Sequence, residues 1–185
     1  MLGDILFALW FFTPAGLANA APVFAVRMPV LNKLGMPIDA GKHFRGKRIF
    51  GDHKTVRGFI AGVVVSIIAA ILQYLLYQQS TWIQNMSLVE YQSIGMSFEL
   101  GFLLGFGALL GDAIKSFFKR QWSVPSGKAW FPFDQIDYIV GGLLLSSIVV
   151  DLPHSAYWWM GLIWFLIHPA ATFVAWLVGL KDSPI

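Results

Sequence analysis

Long apolar stretches constrain the fold of this 185-residue chain more than any other feature of its sequence. Hydrophobic residues make up 57% of the chain and charged residues only 12%. Several of the stretches approach or exceed the roughly 18–20 residues that a helix needs to cross a bilayer. We therefore expect an all-α integral membrane protein, organised as one polytopic domain over residues 1–185.

The apolar stretches predict about five transmembrane helices. Pro14, Gly16 and Pro22 interrupt the first stretch, which is tolerated where neighbouring helices satisfy the freed backbone groups. The fourth stretch is short by itself. The predicted spans are residues 2–24, 59–77, 98–118, 136–150 and 157–180.

Lysine and arginine are distributed very unevenly between these spans. Segment 27–57 contains eight of them, segment 78–97 none, segment 111–137 four and link 151–156 none, while Lys181 follows the last span. Basic residues collect on the cytoplasmic side of membrane proteins. We therefore predict two polar cytoplasmic loops, an N-terminus outside the cell and a C-terminus in the cytoplasm.

The segment 111–137, GDAIKSFFKRQWSVPSGKAWFPFDQID, places three Asp, three Lys and one Arg between two apolar stretches. Its first part continues the third span as a helix, until Pro125, Ser126 and Gly127 end it. One broad face of that helix carries Asp112, Lys115, Ser116, Lys119 and Arg120. Each charge at mid-membrane costs about 2.5–3.5 kcal/mol on insertion scales, so these residues should face a polar cavity or the interface.

Two more carboxylates, Asp134 and Asp137, follow at the start of the next predicted helix, where a spacing of three residues points both the same way. Asp oxygens are usual ligands of Mg²⁺, and Lys and Arg neutralise phosphate charge. The pattern is also typical of a snorkelling basic rim with Asp counter-ions. Three Asp at two helix ends favour a site for phosphate chemistry.

The first cytoplasmic loop, GMPIDAGKHFRGKRIFGDHKTVRG, alternates glycines with basic residues. Glycine lets backbone N–H groups approach a phosphate, and basic side chains complete an anion site. The alternative is a solvated basic loop attracted to anionic lipid head groups. Its candidate phosphate ligands are Lys42, Lys47, Arg48, Lys54 and Arg57.

Two motifs closely resemble the signature of the membrane CTP-dependent cytidylyltransferases, which include the CDP-diacylglycerol synthases. The Ser-x-x-Lys-Arg pattern matches Ser116, Lys119 and Arg120, and the Asp-Arg-x-Asp pattern matches Asp134 and Asp137 with Gln135 in place of Arg. That Gln, the loop GKHFRGKRIFGDHKTVRG and the early PAGLANAAPV resemble the CDP-archaeol synthase family. The resemblance covers nearly the whole chain.

The resemblance implies transfer of CMP from CTP to 2,3-bis-O-geranylgeranylglycerol 1-phosphate, an unsaturated archaeal ether lipid, giving CDP-archaeol and pyrophosphate. The lipid phosphate already carries a nucleophilic oxygen, so the protein's task is alignment and charge neutralisation. We expect Asp112, Asp134 and Asp137 to hold Mg²⁺ and, with Lys119, to be catalytic. Lys115, Ser116, Arg120, the basic residues of the first loop and Asn19, near the cytoplasmic end of the first span, are further candidates to line the substrate site.

The expected partners are CTP, the lipid phosphate and the bilayer, without nucleic acid, and the expected location is the cytoplasmic membrane with the site facing the cytoplasm. The oligomeric state stays open. The nearest rival function is the same chemistry on phosphatidic acid. Two rivals of different classes are a small anion transporter, which the missing inverted repeat disfavours, and a non-enzymatic binder of anionic lipids.

Overall fold

The computed structural model describes residues 2–125 and 128–180, which are mainly helical. A 3₁₀ helix, Pro29–Leu34, follows the first α-helix. The predicted helix-breaking residues Ser126 and Gly127, and the predicted cytoplasmic Lys181, lie outside the described residues. In chain order the remaining elements are α1 (Leu2–Ala25), β1 (His43–Phe44), β2 (Lys47–Arg48), α2 (Val56–Gln79), α3 (Thr81–Met86), α4 (Ile94–Gln121), α5 (Phe133–Ser146) and α6 (His154–Leu177).

Within the described residues, α1, α2, α4 and α6 are long and apolar enough to cross a membrane. The helix α5 has 14 residues. At 1.5 Å per residue it is about 21 Å long, shorter than the roughly 30 Å hydrocarbon core of a bilayer. Four of the predicted spans are therefore confirmed as helices of sufficient length, and a fifth crossing stays a prediction.

Residues that precede α2 and α4 explain where these two long helices begin. Thr55 caps α2, since its hydroxyl accepts a hydrogen bond from Gly58 N at 3.2 Å, and Ser93 caps α4 in the same way through Met96 N at 3.1 Å. Pro14 and Pro22 lie inside α1, which nevertheless runs without a break. Neighbouring helices cover this part of α1, as expected where proline frees backbone groups.

The helix α4 lies at the centre of the bundle and packs against α1, α2 and α5, while α6 packs against α1 and α5. Phe7, Phe11, Leu100, Leu104 and Met160 form part of one fully buried apolar core. The outer face of α2 is apolar as well, because Ile60, Val64, Ile68 and Leu72 recur every four residues and are exposed. Such a face is stable against lipid chains, which agrees with an integral membrane protein.

The first loop closes on itself before α2 begins. Pro37 and Thr55 form an isolated antiparallel bridge, with Ile38 N donating to Lys54 O at 2.8 Å. Within this neck, β1 and β2 form a short antiparallel hairpin. The ring of Phe44 packs 5.7 Å from that of Phe117, and the Lys47 ammonium donates to Gln121 O. The hairpin is thereby docked on the last turns of α4.

Candidate active site

Three glycines allow α4 and α5 to approach each other closely. A Cβ added at Gly107 or Gly141 would overlap the carbonyl oxygen of the other residue, and one at Gly111 would overlap that of Asp137. Only glycine leaves room for such backbone contact between helices. The close approach brings the polar end of α4 beside the first turns of α5.

At this contact the ammonium group of Lys115 lies between three carboxylates. Its Nζ is 3.1 Å from Asp112 Oδ1, 2.6 Å from Asp134 Oδ1 and 2.9 Å from Asp137 Oδ2. None of the four side chains is more than 16% exposed, so the charges are largely withdrawn from water. The structure thus brings together all three carboxylates that the sequence singled out, although they come from two helices.

Two further cations complete the cluster. Lys54, from the neck of the first loop, pairs with Asp112 Oδ2. Lys119, one turn after Lys115, lies 3.1 Å and 3.2 Å from the two oxygens of Asp134. Three formal negative charges therefore face three positive ones, as buried charges require if they are to stay ionised.

Backbone donors orient two of the carboxylates. Trp130 N donates to Asp134 Oδ2, and Tyr138 N donates to Asp137 Oδ1 at 2.6 Å. Trp130 lies just before α5 and Tyr138 lies within it, so the backbone around the start of this helix helps to decide where the carboxylates point. The contact of Trp130 with Asp134 has no counterpart in the sequence motifs.

The three Asp fit Mg²⁺ in chemistry, since they offer only oxygen donors directed at one point. Within residues 2–125 and 128–180, no group of three acidic or histidine side chains has the spacing of a ready-made metal site. The point between the carboxylates belongs instead to the Lys115 ammonium. A divalent cation held by the same oxygens therefore requires that ammonium to move or to share them.

The first loop is organised by Asp39, a residue that the sequence motifs do not single out. Its side chain is fully buried, and it forms an ion pair with Arg48 at 2.9 Å. Burial by itself would raise the pKa of the Asp39 carboxyl, but hydrogen bonds from Phe50, Arg48 and the adjacent backbone outweigh burial and hold that pKa well below its ordinary value. The signal in the sequence is an Asp two residues before a Gly, as in many Asx turns.

Arg48 also binds Asp52 Oδ1 at 2.7 Å, so both ends of its guanidinium are paired inside the loop. Arg57 donates to Asn32 Oδ1 at 3.3 Å, and Arg120 donates to Pro125 O at 3.2 Å. The structure therefore engages these three predicted phosphate ligands with residues outside the carboxylate cluster.

The remaining predicted ligands lie at different depths. Lys42 is exposed in the loop, Ser116 is buried on α4 and Asn19 is half-buried on α1. Within the described residues Asn19 has no hydrogen bond to the cluster. These candidates are therefore distributed over the loop, α4 and α1.

An open, mainly apolar cavity of about 430 Å³ lies along α4 and α5. Its apolar lining includes Leu110, Ile114, Phe118, Phe133 and Leu144, and Lys115 and Asp137 contribute to the same lining. The cavity thus places a hydrophobic surface beside the charged cluster, a lining suited to the apolar chains of a ligand.

Comparisons with known proteins show which family the chain resembles over its full length. The model of the CarS-like CDP-archaeol synthase family matches residues 1–185. The CDP-archaeol synthase of Pyrococcus horikoshii is 37% identical over 184 residues, covering 99% of this chain and 98% of that protein, and the one of Thermococcus onnurineus is 34% identical with the same coverage. A solved structure of an intramembrane enzyme for archaeal membrane lipids biosynthesis has a TM-score of 0.70 and 27% identity, and covers 90% of this chain and 93% of that one. The chain therefore belongs to the CDP-archaeol synthase family.

Proposed function

We propose that this protein transfers CMP from CTP to the phosphate of 2,3-bis-O-geranylgeranylglycerol 1-phosphate, giving CDP-archaeol and pyrophosphate. Family membership over the full chain supports the reaction class. The observation that carries the assignment to a site is the buried cluster around Lys115, which borders an apolar cavity. A charged head group and long apolar chains are the two chemical features of this substrate.

In the reaction, an oxygen of the lipid phosphate attacks the α-phosphorus of CTP. The bond from that phosphorus to the oxygen bridging to the β-phosphorus breaks, and pyrophosphate leaves with the electron pair. Both reactants are anionic, so catalysis depends on holding them in line and on neutralising charge. No activated nucleophile of the protein is needed.

The residues of the cluster have complementary roles in this proposal. Asp112, Asp134 and Asp137 would hold Mg²⁺, which would supply positive charge to offset that of the phosphates. Lys119 stabilises the charge that develops on the phosphates, and its ion pair with Asp134 keeps it oriented. Lys54 and Lys115 exchange carboxylate partners for phosphate oxygens when the nucleotide binds.

The surrounding polar residues form the outer wall of the nucleotide site. The remaining candidate residues have this role, although they differ in exposure and pairing. They are Lys42, Lys47, Arg48, Arg57, Ser116, Arg120 and Asn19. The exposed ones act through long-range attraction of CTP, which is screened by salt.

The lipid lies with its phosphate at Lys115 and its chains along the apolar cavity of α4 and α5. In the membrane we place the N-terminus outside, the C-terminus and both polar loops in the cytoplasm, and α5 as the fifth crossing. The site then faces the cytoplasm, where CTP is available. All of residues 1–185 form one domain of a protein in the cytoplasmic membrane.

The test is an assay of purified protein with radiolabelled CTP, Mg²⁺ and a panel of lipid phosphates. We expect label in the lipid fraction and release of pyrophosphate, with the archaeal ether lipid preferred over phosphatidic acid. Asp134→Asn should lower kcat/KM by about 10²–10³, the usual effect of losing one preorganised electrostatic contact. Asp52→Asn, at an exposed carboxylate of the first loop, is the control and should stay near the parent.

Four outcomes would overturn parts of the proposal. Preference for phosphatidic acid would reassign the lipid but keep the chemistry. Solute flux across liposomes without CTP or Mg²⁺ dependence would instead support a transporter. Undiminished activity of Asp134→Asn, or full activity after chelation of divalent cations, would exclude the role given to the carboxylates.

A further inference from the structure

The carboxylate of Asp39 is the only side chain of the described first loop that is both charged and fully buried. Its two oxygens accept four hydrogen bonds from within the loop. Oδ1 accepts from Gly41 N at 3.0 Å and from Arg48 at 2.9 Å, and Oδ2 accepts from Phe50 N at 2.9 Å and from Gly51 N at 3.1 Å. One side chain thereby ties together both ends of segment 41–51.

The loop backbone that donates hydrogen bonds to Asp39 has a conformation that these bonds stabilise. Gly41 has a φ of 76° and Gly51 a φ of 94°, values in the left-handed region that favours glycine. Glycine in a loop is free to leave such a conformation, since its backbone has many alternatives. Hydrogen bonds to a fixed carboxylate restrict it.

The same loop backbone is hydrogen-bonded to Lys54, which belongs to the cluster around Lys115. Gly51 O accepts a hydrogen bond from Lys54 N at 3.3 Å, and Lys54 O accepts one from Ile38 N at 2.8 Å. Lys54 is therefore held on one side by a residue that Asp39 binds and on the other by the residue that precedes Asp39. The ammonium of the same Lys54 pairs with Asp112.

We propose that Asp39 is a positioning residue for catalysis, which sets the loop backbone so that Lys54 reaches Asp112 and the nucleotide phosphates. Arg48 acts with it as a second anchor of the loop. The inference rests on the proposed function, because it gives Lys54 a task in the reaction. Asp39 itself touches neither substrate nor the reacting atoms.

The chemistry of the site makes Asp39→Asn a sharp perturbation. Each oxygen of the carboxylate faces two donors, so the amide NH₂ of Asn meets donors in either orientation. Asp52→Asn is the matched control, since it removes the second carboxylate partner of Arg48 but lies at a side chain that is 75% exposed. Both variants change the formal charge by the same amount.

We expect Asp39→Asn to lower kcat/KM by about 10–100-fold, as misplacing a group by about 1 Å does. Asp52→Asn should stay within about threefold of the parent, because exposed ion pairs contribute little. Hydrogen exchange should rise at the amides of Phe50 and Gly51 in Asp39→Asn only. Amides of α2 and α4 should keep their protection in both variants.

A double-mutant cycle with Lys54→Met separates positioning from general stability. If Asp39 acts through Lys54, then Asp39→Asn adds less than about threefold to the loss already caused by Lys54→Met. Additive losses, or a normal Asp39→Asn, would overturn the proposal. Asp39→Glu, which keeps the charge, is measured in the same cycle. If Asp39→Asn fails to fold, the cycle with Asp39→Glu still tests the proposal.

The activity of the parent enzyme distinguishes a failure of the role given to Asp39 from a failure of the proposed function. If the parent does not form CDP-archaeol, the proposed function fails. If the parent is active and the cycle is additive, only the role of Asp39 fails.

Discussion

Replacing Gly111 with alanine should disable the enzyme by separating α4 from α5. The added Cβ would overlap the carbonyl oxygen of Asp137 and lie 2.9 Å from its carbonyl carbon. Non-bonded carbon atoms pack at about 3.5–4.0 Å, so α5 must withdraw by about 1 Å at this point. Overpacking of this kind costs about 1–3 kcal/mol of stability.

The same displacement acts on the cluster. Asp137 Oδ2 lies 2.9 Å from Lys115 Nζ, and a withdrawal of about 1 Å would take this ion pair out of hydrogen-bond range. A misplacement of about 1 Å at a reacting centre lowers activity by about 10²-fold. We therefore expect kcat/KM to fall by about that factor, while the protein remains folded and inserted.

The assay compares CTP incorporation into lipid and thermal unfolding for Gly111→Ala and Gly161→Ala. At Gly161, in α6, an added Cβ meets nothing within 4 Å. That control should keep full activity, and its helix should gain about 0.5–1 kcal/mol from the loss of a glycine. If Gly111→Ala kept activity within about twofold of the parent, close contact of the two helices would not be what aligns the carboxylates.

Two further predictions concern charge. Lys115→Met leaves three carboxylates with two cations, so we expect the free energy of unfolding to fall by about 3–5 kcal/mol. Added Mg²⁺ should raise the unfolding temperature of this variant more than that of the parent. Equal Mg²⁺ shifts in both proteins would contradict a shared position of metal and ammonium. The pKa of Asp39 is depressed in the folded protein, so its contribution to stability is present above the ordinary value of 3.8 and is lost as the pH falls through the lower folded value. The difference in unfolding temperature between the parent and Asp39→Asn should therefore be full at about pH 7 and shrink in acid, and a difference that grows in acid would contradict the assignment.

The sequence predicted the membrane helices and the members of the cluster for different reasons. Helices α1, α2 and α4 show as apolar stretches, because each residue in lipid must be apolar unless it is paired. Asp134 and Asp137 share a side of α5 because of their spacing of three residues, which is a local property of a helix.

The parts of the site that the sequence does not predict depend on contacts between residues that are far apart in the chain. Lys54 and Asp112 are 58 positions apart, and their ion pair exists only because the loop neck docks on α4. The pattern of charges in the sequence also does not distinguish Arg48, which pairs with Asp39 inside the loop, from Lys115, which pairs with the carboxylates of the cluster. Hydropathy places the fourth span at residues 136–150, whereas α5 begins at Phe133 and ends at Ser146. The earlier start is missed because the first turn carries Asp134, which belongs to the cluster.

The apolar cavity beside Lys115 has a consequence for how the enzyme's kinetics should be described. If its lipid substrate enters along α4 and α5, that substrate travels only within the plane of the membrane, whereas CTP arrives from water. The relevant concentration of the lipid is then its mole fraction among the surrounding lipids or detergent molecules. Diluting the membrane with inert lipid should slow the enzyme at constant total substrate, while diluting the whole suspension should act mainly through CTP.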